Sequence, residues 1–146
     1  MFEISDFYDY CKQHQVDVIP YDNAPQSGAT IRDSDWYAVF LDFTKIKSTR
    51  LLRGICMHEL GHVATGALHK VDSPFELVER SEYRAGRWTA EHFLTEEAFR
   101  TAFQEGCTEI WQLSEYFDLP ESCIETALIY WKERKGKDFC MEAKVL

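Results

Sequence analysis

Apolar residues recur along this chain at two periods, and the changes of period divide it into elements. Ser5 can cap a first helix with Phe7, Tyr10, Cys11 and His14 on one face. His14 reads as the polar edge of that stripe rather than as a ligand. Gln15 to Pro20 alternates enough for a short strand. Tyr21 to Gly28 gathers Asn, Pro, Ser and Gly and is expected to be an irregular connection. Ala29 to Arg32 and Trp36 to Asp42 read as two strands joined at Asp33-Ser34-Asp35 in a hairpin. The second of these is apolar on both faces, so packing on two sides is expected. Leading directly into the next helix, it can also line a cleft where an extended peptide adds to its edge.

From Thr49 the period becomes helical. Thr49 is expected as the cap of a helix running through Leu51, Leu52, Ile55, Leu60 and Val63 to a break at Gly66. Ala67 to Asp72 is a loop containing His69. Ser73-Pro74-Phe75-Glu76 then looks like a helix start, with Ser as cap, Pro in the first position and Glu closing a capping box. This helix should reach about Phe93, with Leu77, Val78, Ser81, Ala85, Trp88 and Phe93 inward and Gly86 weakening it locally. Thr95 caps a shorter helix ending near Gly106, and Thr108 opens another with Ile110, Leu113 and Phe117 inward. Pro120 starts a last helix that ends between Lys132 and Gly136. The final ten residues, with Phe139 and Met141, carry no clear pattern.

No repeat or linker divides the chain. The expectation is therefore one mostly helical α+β domain over residues 1–146, with a small N-terminal antiparallel or mixed sheet. A helix and the sheet occupy 1–48, two long helices 49–94, C-terminal helices 95–136 and a tail 137–146. The formal charge of −9 argues against direct nucleic-acid binding. The basic residues Lys45, Lys47, Arg50 and Arg53, and again Arg80, Arg84 and Arg87, read as solvated faces or local ion pairs. The last two helices open on Glu121 and Glu125 where a DNA-reading helix would want Arg, Asn or Gln, so a helical hairpin covering the core is expected. Glu3, Asp6 and Asp9 stand where an export signal would be basic and apolar, and no apolar run is long enough to span a bilayer. The five cysteines lack any C-x-x-C pair and read as reduced, mostly buried thiols of a cytoplasmic protein.

The candidate chemistry lies in Cys56-Met57-His58-Glu59-Leu60-Gly61-His62. Histidines four residues apart share one face of a helix, about 6 Å apart along its axis, and can bind one zinc ion together. Glu59 then stands beside the metal without binding it, placed to take a proton from water. This is the H-E-x-x-H pattern of zinc peptidases. Gly61 lies where a bulky side chain would obstruct the metal face or close packing. A catalytic zinc takes three protein ligands. Glu82 on the following helix, Glu79 beside it and His69 in the loop are the candidates for the third. His69 is one residue too far for the His-x-x-Gly-x-x-His continuation. Glu79 and Glu82 can instead simply pair with Arg80, Arg84 or Arg87.

The helix motif, taken with Glu82-Tyr83-Arg84-Ala85-Gly86-Arg87-Trp88-Thr89-Ala90-Glu91-His92-Phe93-Leu94, resembles the ImmA/IrrE family of metallopeptidases from phages and mobile elements. The strand Trp36 to Asp42 and the stretch Ser114 to Pro120 are similar in character to that family. The resemblance implies a zincin-like active-site helix, with His58, His62 and Glu82 as zinc ligands and Glu59 as the catalytic base. Thr89, where the family often has Ala, and Thr95, where it usually has Pro, depart from the pattern in positions of helix packing and termination. The family often cleaves a repressor, so the resemblance implies a zinc-dependent endopeptidase whose substrate is a separate helix-turn-helix repressor. The sequence itself does not identify the group that stabilises the oxyanion; a Tyr or His across the cleft could do so. The competing class is a regulator-binding protein with structural zinc or none. A structural site would draw a fourth ligand from His69, Glu79 or His92.

Overall fold

A computed structural model of the chain describes residues 1–68, 75–136 and 139. His69, Ser73, Pro74, Cys140 and Met141 lie outside the described residues. The architecture is α+β, with helices α1 (Ile4–Gln13), α2 (Thr49–Thr65), α3 (Phe75–His92), α4 (Glu96–Gln104), α5 (Ile110–Phe117) and α6 (Glu121–Lys135). Three strands, β1 (Val16–Pro20), β2 (Gly28–Asp33) and β3 (Trp36–Leu41), lie between α1 and α2.

The sheet is mixed, with strand order β1-β3-β2. β2 and β3 form the expected antiparallel hairpin, Thr30 facing Val39, while β1 runs parallel to β3 with Val18 facing Val39. This places β3 in the middle, which corrects the expectation that it offers an edge to a peptide. Its two-sided apolar character has a plain cause: Ala38, Val39 and Leu41 are buried between neighbouring layers. The edge strand beside the later helices is β2. β3 stops one residue before Asp42 because that buried carboxylate organises the adjoining loop instead. It accepts from the backbone N–H groups of Ala24 (2.9 Å) and Thr44 (3.0 Å) and from the Thr44 hydroxyl. The Thr44 hydroxyl bond and these N–H bonds hold its pKa below the ordinary carboxylate value.

Several helix caps differ from expectation. Glu3, not Ser5, caps α1, in a reciprocal box where Asp6 accepts from the Glu3 N–H at 2.7 Å. Ser48, not Thr49, caps α2 by accepting from the Leu51 N–H at 3.0 Å. Glu109, not Thr108, caps α5 through a box with Gln112. The expected Thr95 cap of α4 is present, accepting from the Ala98 N–H at 3.1 Å. That explains why a threonine can stand in the place of a terminating proline. On α3, Ser81 and Ala85 are buried as expected, but Leu77 is exposed.

α2 is enclosed on several sides by α1, β2 and α3, and it buries polar residues as well as apolar ones. One of these corrects the sequence reading: Arg53 is buried rather than solvated. Its guanidinium donates to the Phe2 carbonyl, to the Asp118 carbonyl at 2.8 Å and to Glu3 Oε2 at 3.0 Å. It thereby joins the start of the chain, the motif helix and the α5–α6 turn. Phe139, in the segment without a pattern, is fully buried against Phe99 and Phe103. Cys11 and Cys56 are buried, and burial pushes their thiols up to about 11 and about 12. Among the described residues no helix is long and apolar enough to cross a membrane.

Candidate metal centre

His58 and His62 follow one another by one turn of α2, and their Nε2 atoms lie 3.2 Å apart. Glu82 reaches them from the first half of α3. Its Oε2 is 3.1 Å from His58 Nε2 and its Oε1 is 3.2 Å from His62 Nε2. Of the third-ligand candidates, then, the structure brings Glu82 to the histidines. It leaves Glu79 exposed on α3 and outside the cluster, and His69 is outside the described residues. The surface-pairing alternative for Glu82 is replaced by these contacts: Arg84 donates to the Thr65 carbonyl and Arg87 pairs with Glu91.

The approach of α3 to α2 is set at Gly61. A Cβ there would stand 2.7 Å from the Ala85 carbonyl oxygen, closer than real Cβ atoms come. Of the two roles expected for this glycine, close packing is thus the one visible in the structure. Gly66 ends α2 in the left-handed region (φ 64°) and turns the chain so that the next carbonyl faces back. That carbonyl, Ala67 O, lies 2.6 Å from His62 Nδ1 and also accepts from the buried Ser81 hydroxyl. A carbonyl oxygen only accepts, so the His62 hydrogen sits on Nδ1 and the Nε2 lone pair faces the cluster.

The His62 lone pair consequently faces the Glu82 carboxylate. In the neutral tautomer His62 Nε2 faces a carboxylate oxygen with no hydrogen between them, an arrangement that only a proton or a cation relieves. The pKa directions record the same tension. Hydrogen bonds from His58 and His62 hold the Glu82 carboxyl far below the usual carboxylate range. Burial opposes a charge on His62, but the Glu82 hydrogen bond, the Ala67 carbonyl and the nearby Glu59 outweigh it and raise its pKa. Donors bound at about 2.0–2.2 Å in a tetrahedral site lie about 3.3–3.6 Å from one another; here the two Nε2 atoms are 3.2 Å apart, and one ligand atom from each of the three residues lies within 4.8 Å of the others. Imidazole and carboxylate are also the donor set zinc takes in catalytic sites. Residues and spacing therefore fit the ion.

Glu59 is buried on the side of α2 that faces β2, and its Oε2 accepts from the Thr30 hydroxyl at 2.6 Å. Thr30 was not legible as a functional residue, because nothing in a strand pattern points to a carboxylate on a later helix. Ala67 and Ser81 were missed in the same way; Ser81 read only as an inward position. His58 and Glu59 form part of the wall of a cavity of about 420 Å³ between α2, α6 and the start of β2. No tyrosine lines it. Among the described residues its polar groups other than His58 and Glu59 are Gln26, Ser27, Thr89, Ser122 and Thr126. Tyr83 and Tyr130 instead line a neighbouring cavity of about 160 Å³ beside Glu82, where the Tyr130 hydroxyl donates to Glu91. His92 is turned away, its ring stacked on Trp88 and its Nδ1 2.7 Å from the Trp88 carbonyl.

Compared with protein-family models, curated proteins and solved structures, the chain finds no match.

Proposed function

We propose that this chain is a zinc-dependent endopeptidase, with His58, His62 and Glu82 holding the metal and Glu59 acting as the base. The observation that carries the reading is the convergence of His58, His62 and Glu82 beside a buried carboxylate: the two Nε2 atoms are 3.2 Å apart and each lies 3.1–3.2 Å from one oxygen of the Glu82 carboxylate. Bound there, zinc would lower the pKa of water toward neutrality and polarise a carbonyl oxygen.

The chain's own residues do the rest. His62 is fixed in tautomer and orientation by Ala67, which Ser81 holds in turn. Thr30 fixes the Glu59 carboxylate on one oxygen, leaving the other to take a proton from water and pass it to the departing amine. β2 lies beside Glu59 with β3 on only one of its sides, so an extended substrate can add to its free edge by main-chain hydrogen bonds. A purely structural zinc would call for a fourth protein ligand. Among the described residues the cluster supplies three, which favours the catalytic reading. The likeness of the two helix motifs to the ImmA/IrrE peptidases points to a separate helix-turn-helix repressor as substrate.

The test is co-expression with the proteins of neighbouring genes, wild type against Glu59→Gln. A partner band should shorten only with the wild type, and both proteins should purify with one zinc per chain. Protein that neither carries nor takes up zinc, or a Glu59→Gln variant that cuts like the wild type, would overturn the reading.

A further inference from the structure

Gly86 occupies a position in α3 that neither packing nor backbone geometry explains. A Cβ on Gly54 would meet Pro120 at 2.6 Å and one on Gly61 would meet the Ala85 carbonyl at 2.7 Å, so those positions have no room for a side chain. At Gly86 the only neighbour within 4 Å among the described residues would be the Thr126 methyl at 3.5 Å, an ordinary contact. Its φ is not in the positive region either. A helix interior thus carries one of its least favourable residues with no local requirement for it.

The space around Gly86 does depend on its bareness. Gly86 and Thr126 line both the 420 Å³ and the 160 Å³ cavities. The larger cavity has His58 and Glu59 in its wall and the smaller has Glu82. Since His58 Nε2 and Glu82 Oε2 are 3.1 Å apart, the three-donor cluster stands where the two cavities meet. Gly86 and Thr126 lie at the border the two cavities share, where a Cβ on Gly86 would already touch the Thr126 methyl at 3.5 Å. A side chain longer than a methyl on Gly86 would have to take up space at that border.

The two cavities differ in chemistry. The larger is walled by Leu51, Ile55, Met57, Pro120, Cys123 and Ala127, and among the described residues Glu59 is its one carboxylate. Burial pushes the Cys123 thiol up to about 11, so it too presents a neutral surface at ordinary pH. The smaller is edged by the charged residues Glu82, Arg87 and Glu133.

We propose that Gly86 determines specificity: its missing side chain keeps both cavities open as one cleft for an extended peptide, with an uncharged side chain seated in the larger cavity beside Glu59. The choice of a peptide as occupant rests on the peptidase reading; the cleft rests on the cavities alone.

The test measures binding, thermal stability and zinc content together. Fluorescein-labelled alanine-based peptides with one central leucine, phenylalanine, lysine or glutamate are titrated with Glu59→Gln protein, which cuts nothing. Leucine and phenylalanine peptides should bind at least about tenfold tighter than the lysine and glutamate ones. Adding Gly86→Leu should weaken binding by at least about tenfold, and Gly86→Ala by less. Gly86→Ala should raise Tm by about 2–4 °C through helix propensity, Gly86→Leu should not lower it, and zinc content should stay unchanged. Stability rising while binding falls is a combination that a packing role would not produce. The assignment is overturned if Gly86→Ala lowers Tm, if Gly86→Leu binds as tightly as the Gly86 protein, or if the Gly86 protein binds none of the peptides. The expected binding pattern in a protein whose wild type cuts nothing would retire the peptidase reading and leave the cleft standing.

Discussion

Replacing Gly61 by alanine probes the close contact that brings Glu82 to the two histidines. The added Cβ would stand 2.7 Å from the Ala85 carbonyl oxygen and 2.9 Å from the Thr89 methyl. One is helix backbone and the other belongs to a β-branched side chain, so neither can swing away. Relief must come from α2 and α3 parting by about 0.5–0.7 Å. Metal–donor distances tolerate about 0.2 Å, so a carboxylate carried off by more than twice that no longer closes the site. Zinc affinity should fall by about 10–100-fold, as it does when the support of a ligand is lost. Stability feels two opposed effects: overpacking costs about 1–3 kcal/mol, and exchanging glycine for alanine in a helix returns about 1 kcal/mol. A net loss of about 1 kcal/mol would lower Tm of the metal-free protein by about 3 °C. The assay is zinc titration of metal-free protein against a competing chelator, with thermal melts in parallel. Affinity within about twofold of wild type, together with an unchanged or raised Tm, would refute the reasoning: alanine would then have gained propensity without meeting the neighbouring helix.

Three further outcomes follow from the same geometry. Thr30→Val should lower kcat about 10–100-fold with little change in KM or zinc content, and Thr30→Ser should restore it; equal kcat in Val and wild type would remove Thr30 from the mechanism. The raised pKa of His62 contributes stability that is complete below its unfolded value near 6.5 and is lost as pH rises through the folded one. The depressed pKa of Glu82 contributes stability present above about 4.5 and lost as pH falls toward its folded value. Metal-free wild type should therefore lose Tm relative to Glu82→Gln above pH 6.5, while stabilisation by added zinc grows over that window as protons stop competing; parallel slopes in the two proteins would count against the His–Glu contact. Arg53→Met should destabilise by about 2–4 kcal/mol in urea unfolding, because the Phe2, Phe117 and Asp118 carbonyls lose a donor while the exposed Glu3 and Asp118 carboxylates are resolvated; a loss below about 0.5 kcal/mol would show that water replaces the guanidinium.

The three strands and the helices were legible because burial period is a local property of the chain. Caps shifted by a residue or two for an identifiable reason: at Glu3 and Glu109 a long acidic side chain does the work usually given to a hydroxyl. Strand order is not local. Nothing between Gln15 and Asp42 says that β1 crosses to the far side of β3, so the central strand was mistaken for an available edge. Of the proposed site, His58, Glu59 and His62 could be named from helical spacing, whereas Glu82 stood beside Glu79 and His69 as one of three candidates for a third ligand. Their supports Thr30, Ala67 and Ser81 could not be named, since an alanine carbonyl or a strand hydroxyl acquires a role only through the partner it meets. Arg53 was misjudged for the same reason: its partners lie some fifty and sixty-five residues away.

The free side of β2 has a consequence for the timing of any cut made beside it. A segment read through its main chain must first be straight, and most chain in folded proteins is held in helices or already paired in sheets. If the proposed activity holds, selection would act on the target's own fraying, so that an intact partner would survive alongside this chain and be lost once a stretch of it melts. Heat, a missing ligand or a departing subunit on the target's side would serve as the trigger, with no change needed in the chain that cuts.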